Sequence, residues 1–280
     1  MKNEEWTYKL LKNVGILLTS HPGNRPFLKA SIESHKKLDY WICLAYDNYI
    51  DPEQPDINYN SIMPNKDVMD GVDTFIMPHH QTWGGVLFPY MFLLRFGTLA
   101  LSHFEYIYCT NGDFIVEKPE GFPKLFELMG DADIMTCGHD ESGKYANTAG
   151  FIVKSKALVD ITKHMLDHLI PFEVYEKHTQ EIGNAEGRFG RAIFDLKLKQ
   201  KIVEPPSDDM LCYPGTGTWY DLIGFRHIHA ELNRAYKEKG IPPDSKYLDE
   251  RHVCSHDLEH IKKYEIAKDK SVLETWYQKD

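Results

Sequence analysis

Apolar residues in this chain fall into short unbroken runs separated by stretches of helical period. Val14 to Thr19, "VGILLT", is a run of strand length, and it stops at "SHPGNRP", where Pro22, Gly23 and Pro26 forbid continuation. From Pro26 onward Phe27, Ala30, Ser34 and Leu38 recur at helical spacing, with the proline in the first turn, where its missing N–H costs nothing. "YWICLAYDN", Tyr40 to Asn48, is a second near-continuous run ending in a polar pair. Continuous rather than alternating runs mark strands covered on both faces, as in a parallel sheet, so the first fifty residues predict a strand–helix–strand unit.

The same alternation continues. Asp51 to Asp70, rich in Pro, Asn and Asp, predicts a surface connection, "DTFIMP" a third strand, Gly84 to His103 a long apolar helix, and Glu105 to Thr110 a further strand. Next come a helix at "GFPKLFELMG", a strand at "ADIMTCG", a polar turn at "HDESGKYAN", a strand at "TAGFIVK" and a helix at "SKALVDITKHML", with alternation to about Val203. The remainder combines a Gly- and Pro-rich loop, a strand-like "GFRHIHA" and a charged helical tail. The expected fold class is α/β: a mostly parallel central sheet flanked by helices, with a helical C-terminal extension. No internal repeat or low-complexity tract divides it, so one domain over 1–280 is expected.

Composition narrows the partners. The 280 residues are 42% hydrophobic, enough to bury a large core, and the formal net charge of −10 offers no general attraction to nucleic-acid backbones. Five scattered cysteines, Cys43, Cys109, Cys137, Cys212 and Cys254, form no CxxC pair and read as reduced thiols. The charged start "MKNEEWTYKLLKN" is unlike a signal peptide and "VGILL" is too short to cross a bilayer, so a cytoplasmic protein is expected.

In open α/β sheets ligands gather beyond the carboxyl ends of the strands, which singles out Thr19 and Ser20, Asp47 and Asn48, and Asn111 with Asp113. Any one of these sets is explained by a wet loop. In combination with the sequence around them they carry more. "LLTSHPGNRPFLKASIESHKKL" resembles the opening of GT-A glycosyltransferases, especially the large family 2 group, in Asn24, Arg25, Pro26, Leu28, Ile32 and Ser34. The inserted "SHPG" departs from that pattern. Arg95, leading through Ser102 and "FEYIYC" to Asn111-Gly112-Asp113, resembles the family's helix, strand and metal-binding Asp-x-Asp at the same interval, with Asn111 in place of the first acid.

The resemblance implies a metal-dependent transferase that uses a nucleotide-diphosphate sugar, UDP-sugar foremost, with an unknown glycan, lipid-linked, protein or nucleic-acid acceptor. It assigns Asp113 to Mn²⁺ or Mg²⁺, with His229 or, in reserve, His227 as a second ligand; strand alternation puts both histidines and Phe225 on one face of "GFRHIHAE". Thr19, Ser20, Arg25, Asp47, Arg95 and Asn111 fall to the nucleotide, and Trp219, in "CYPGTGTWYD", to a loop over the donor. Glu186, at a helix start in "GNAEGRFGR", is the candidate base for the acceptor hydroxyl and Asp140 the second. On this basis 14–115 form the nucleotide-sugar half, 116–235 the acceptor half and 236–280 a helical tail.

Bland readings stand beside these. Glu186 also suits a helix N-terminus electrostatically, Arg95 a helix surface, Trp219 a buried core position, and either histidine a hydrogen bond inside a half-buried strand. His252, Cys254, His256 and His260 permit a zinc site but read equally as a solvated helix face. Two rival functions remain: a sugar-1-phosphate nucleotidyltransferase, for which "SHPGNRPFLK" has too few glycines, and a non-catalytic sugar-nucleotide or glycan binder, which the Asn111 substitution favours.

Overall fold

The computed structural model describes residues 13–21, 24–47, 64, 66–77, 87–136, 148–168, 185–203 and 218–228. The elements follow the apolar pattern closely: β1 (Val14–Ser20), α1 (Arg25–Lys36), β2 (Trp41–Tyr46), α2 (Lys66–Met69), β3 (Thr74–Ile76), α3 (Leu87–Leu101), β4 (Tyr106–Asn111), β5 (Phe114–Val116), α4 (Phe122–Met129), β6 (Ile134–Thr136), β7 (Gly150–Lys154), α5 (Ser155–Asp167), α6 (Ala185–Asp195), β8 (Gln200–Ile202), α7 (Thr218–Ile223) and β9 (Phe225–His227). The tail 236–280 lies outside the described residues, as do Asp140, His229 and the His252 to His260 group.

Seven strands form one sheet in the order β3-β2-β1-β4-β7-β6-β8. It is parallel except for β7, which runs antiparallel between β4 and β6. The unbroken apolar runs now have their cause. Ile16, Leu18, Ile42, Leu44 and Tyr108 face one layer, with Leu28, Phe122, Leu125 and Trp219. Leu17, Cys43, Ile107 and Cys109 face the other, with Leu94, Leu158, Ile161 and Phe189. Every second residue serves a different core, so polar side chains such as Thr19, Ser20, Thr110 and Asn111 appear only at the carboxyl ends of β1 and β4. Burial pushes the Cys43 thiol up to about 12 and Cys109 well above its ordinary value, which makes both inert packing groups.

The second layer is tightly keyed to the sheet. Gly97 of α3 lies against Leu17, whose Cδ1 stands 2.3 Å from where a Cβ would be. The absent side chain lets the helix rest directly on β1. Among the described residues no helix is long and apolar enough to cross a membrane.

A separate two-stranded sheet, β5 with β9, hangs off the carboxyl end of β4. Its antiparallel register sets Phe114 opposite His227 and Val116 opposite Phe225. β5 is fastened to α1 by Ser34, whose Oγ donates to Ser31 O at 2.8 Å and accepts the Val116 N–H at 3.1 Å. That double role gives a physical reason for a serine on the buried face of α1.

Candidate functional site

Three strand ends converge at the carboxyl edge of β1, β2 and β4. Thr19 pairs with Asn111 in the parallel register, Asp47 N donates to Ser20 O at 2.8 Å, and Gly112 N donates to Thr19 O at 2.8 Å. Thr19, Ser20 and Asp47 are buried, so their polar groups are held in place rather than trailing in solvent. The Thr19 hydroxyl donates to Asn111 Oδ1 at 2.8 Å, fixing that side chain at the strand's end.

Gly112 keeps φ in the ordinary negative range, so the turn does not need a glycine for its backbone angles. Space explains it. A Cβ there would stand 2.6 Å from Ser20 Oγ and 2.9 Å from Leu28 Cδ1. The glycine lets β4 close onto β1 and α1, and it thereby aims the next residue, Asp113, across the edge.

Asp113 is 4% exposed, and its Oδ2 lies 2.9 Å from His227 Nε2. Its backbone carbonyl accepts the Ile228 N–H at 3.0 Å. The His227 ring stacks on Phe114 with centroids 4.3 Å apart and planes 12° from parallel, and Phe225 stacks on the same ring at 4.7 Å. Phe225 and His227 therefore share a face, and Phe114 sets the height of the imidazole over the carboxylate.

β9 is delivered by α7 through Gly224, whose φ of +60° is a conformation that side chains resist. Lys118 N donates to Ile223 O at 2.9 Å and Glu117 N to the same oxygen at 3.1 Å. Gly121 passes so close to α7 that a Cβ would sit 1.8 Å from Leu222 O. The segments bearing Asp113 and His227 are thus locked together by backbone contacts on both sides.

The remaining sequence-derived candidates lie apart from this cluster or are described only in part. Arg95 Nη1 donates to Val159 O at 3.0 Å and to Thr162 Oγ1 at 3.1 Å, so its guanidinium braces α3 against α5. Trp219 is 2% exposed and packs on Tyr108 and Phe225, with centroids 6.0 and 5.6 Å away. It forms the floor beneath β9. Arg25 opens α1 and Glu186 lies in the first turn of α6, with only their backbones described. His227 lies beside Asp113, and His229, the first choice from the sequence, falls outside the described residues. Phe114 was not singled out from the sequence, since its value depends on a partner strand more than a hundred residues away; its position directly after Asp113 was the only local signal.

A divalent cation is implied by the resemblance, and the donor set is the test of its fit. A carboxylate oxygen and an imidazole nitrogen at hydrogen-bond distance offer one hard and one intermediate ligand, a pair suited to Mn²⁺ and acceptable to Mg²⁺ when phosphate and water complete the shell. Among the described residues no group of three or more His, Cys, Asp or Glu side chains gathers to hold a metal by itself. The residues fit a cation that arrives with, or is completed by, a phosphate ligand.

No protein-family model matches the chain. No curated protein sequence matches it either. Among solved structures, HddC from Yersinia pseudotuberculosis aligns at 15% identity over 52% of this chain and 78% of its own, with a TM-score of 0.34. The same protein complexed with GMP-PN aligns at 16% identity over the same shares, with a TM-score of 0.33. The 4-diphosphocytidyl-2C-methyl-D-erythritol synthase of Anaerococcus prevotii aligns at 12% identity over 70% of this chain and 89% of its own, with a TM-score of 0.42. At such identities and scores the likeness assigns neither a family nor a reaction.

Proposed function

We propose that the chain is a metal-dependent glycosyltransferase that moves a sugar from a nucleotide-diphosphate sugar, a UDP-sugar foremost, to an acceptor hydroxyl. The observation that carries this reading is the Asp113–His227 pair, 2.9 Å apart at the carboxyl end of the central strand and flanked by Thr19, Asn111 and Asp47. Breaking the bond between sugar and diphosphate gathers negative charge on the departing phosphate. Asp113 and His227 are the residues that would hold a divalent cation there, and such an ion would supply the compensating positive charge.

The chain's own residues do the rest. The buried Asp47 at the end of β2 offers an acceptor to the N–H edge of a base, and the Thr19–Asn111 pair lines the adjoining strand ends where ribose and phosphate would rest. Glu186 is the proposed base toward the acceptor hydroxyl, set where the first turn of α6 favours a negative charge.

The second reading is transfer of a nucleotidyl group to a sugar 1-phosphate, which would use the same strand ends. The products separate the two. Incubation with a panel of nucleotide sugars and Mn²⁺ should release nucleoside diphosphate, and Asp113→Ala should abolish the release. Pyrophosphate formed from a nucleoside triphosphate and a sugar 1-phosphate would establish the second reading instead. Retained nucleotide-sugar affinity with neither product would mark a non-catalytic binder.

A further inference from the structure

The position that the resemblance would fill with an acid carries an amide, and its orientation is not arbitrary. Thr19 Oγ1 stands 2.8 Å from Asn111 Oδ1, while its other acceptor, Thr110 O, is at 3.5 Å. The hydroxyl proton therefore goes to the amide oxygen. The oxygen of Asn111 is turned toward Thr19 and accepts its hydroxyl, which turns the NH₂ group to the other side of the amide. Thr19 is 4% exposed and anchored in β1, so this arrangement belongs to the scaffold. Two residues along, Asp113 presents a carboxylate.

We infer that Asn111 is a hydrogen-bond donor to an anionic oxygen of a nucleoside diphosphate, and that it allows the site to hold that anion without a cation. The inference rests on the proposed function and adds to it the binding order. A carboxylate at 111 would stand beside Asp113 and repel the diphosphate until a divalent ion neutralised both. The amide removes one of those charges and replaces an acceptor with two N–H donors, so nucleotide binds first and brings or recruits the metal. Asn111 is then a determinant of specificity, and a cation ligand only in the reading that the geometry disfavours.

The test uses the full chain, UDP and GDP, and equilibrium binding measured by calorimetry in EDTA, with Mn²⁺ binding to the nucleotide-free protein measured separately by electron paramagnetic resonance. Asn111→Asp is conservative in shape, and its carboxylate still accepts the Thr19 hydroxyl, so the fold is retained. Wild type binds one of the two nucleotides in EDTA, and Asn111→Asp weakens this by about tenfold or more, the worth of one charge-assisted hydrogen bond. The same substitution tightens Mn²⁺ binding to the free protein. Thr19→Val, which releases the amide to turn over, weakens metal-free nucleotide binding and leaves Mn²⁺ affinity unchanged. Equal metal-free affinity in wild type and Asn111→Asp, or nucleotide binding by wild type only when Mn²⁺ is present, overturns the inference and leaves the proposed function standing. No nucleotide binding by wild type under either condition removes the proposed function as well.

Discussion

Asp113 Oδ2 and His227 Nε2 lie 2.9 Å apart although 114 positions separate them in the chain. The contact exists because Asp113 is the residue immediately before β5 and His227 is the last of β9, and those two strands pair antiparallel. On the proposed function both groups serve one ligand. Asp113→Ala should lower nucleoside diphosphate release on the order of 100-fold or more, and His227→Ala on the order of 10- to 100-fold. The double variant should be little worse than Asp113→Ala, since the two residues serve one ligand. Additive losses in steady-state kinetics would place the histidine in a separate task.

Gly121 should matter to that site from a distance. A methyl group at this position would meet a backbone carbonyl, Leu222 O, at 1.8 Å, and backbone cannot step aside as a side chain can. Gly121→Ala must push α7 away from the turn that follows β5, and β9 travels with it. The expected cost is about 1–3 kcal/mol, read as a lower urea midpoint, together with weaker Mn²⁺ binding in the presence of nucleotide. Gly97→Ala is the contrast: it meets the end of the Leu17 side chain, and it should destabilise without altering the cation site.

These relationships show where sequence reading ends. The runs at Val14, Tyr40 and Glu105 predicted β1, β2 and β4 to within a residue or two, because strands buried on both faces leave an unmistakable apolar signature. The helix starting beside Pro26 was equally legible. β5 was not, since "FIV" is three residues long and is a strand only by virtue of β9. α7 was expected as part of a glycine-rich loop, yet the Trp219, Leu222 and Ile223 side chains fold it into a short helix against the core. The strand ends Thr19, Asp47 and Asn111 were identifiable from topology alone. That His227 rather than another residue meets Asp113 depends on the β5–β9 register, which no local pattern encodes.

Arg95 gives a test of the opposite kind. Its guanidinium reaches Val159 O and Thr162 Oγ1 on α5, across the helical layer. Arg95→Met keeps much of the aliphatic packing and removes both hydrogen bonds. Stability should fall by about 1–2 kcal/mol while nucleotide affinity stays at the wild-type value. A loss of nucleotide affinity greater than the loss of stability would return Arg95 to the phosphates.

His35 makes the stability of the whole domain depend on pH. The ring is fully buried on α1, stacked on Tyr108 with centroids 5.7 Å apart, and its Nδ1 lies 2.8 Å from Ser31 O. Its Nε2 has no hydrogen-bond partner among the described residues. Burial penalises the imidazolium more than the Ser31 carbonyl favours it, and the pKa falls from 6.5 to about 4. An unfolded chain takes up this proton near pH 6.5 and the folded one only near 4, so the unfolded state holds more protons between those values and stability declines as the pH falls through that window. The full effect is about 3 kcal/mol. Asp133, whose carboxyl is lowered by the Lys199 N–H and by Lys154, loses its contribution as the pH falls through the ordinary carboxylate range, equally in wild type and in a variant at His35. His164, lowered first by burial and then by the neighbouring His168, adds a loss of the same sign and must be separated by substitution. Urea unfolding of wild type and His35→Phe from pH 7 to pH 4 makes that separation, because phenylalanine keeps the ring contact with Tyr108 and carries no proton. The wild-type midpoint should fall more steeply than that of the variant, and parallel slopes would mean that the imidazole takes up its proton at the same pH in the folded and unfolded chains.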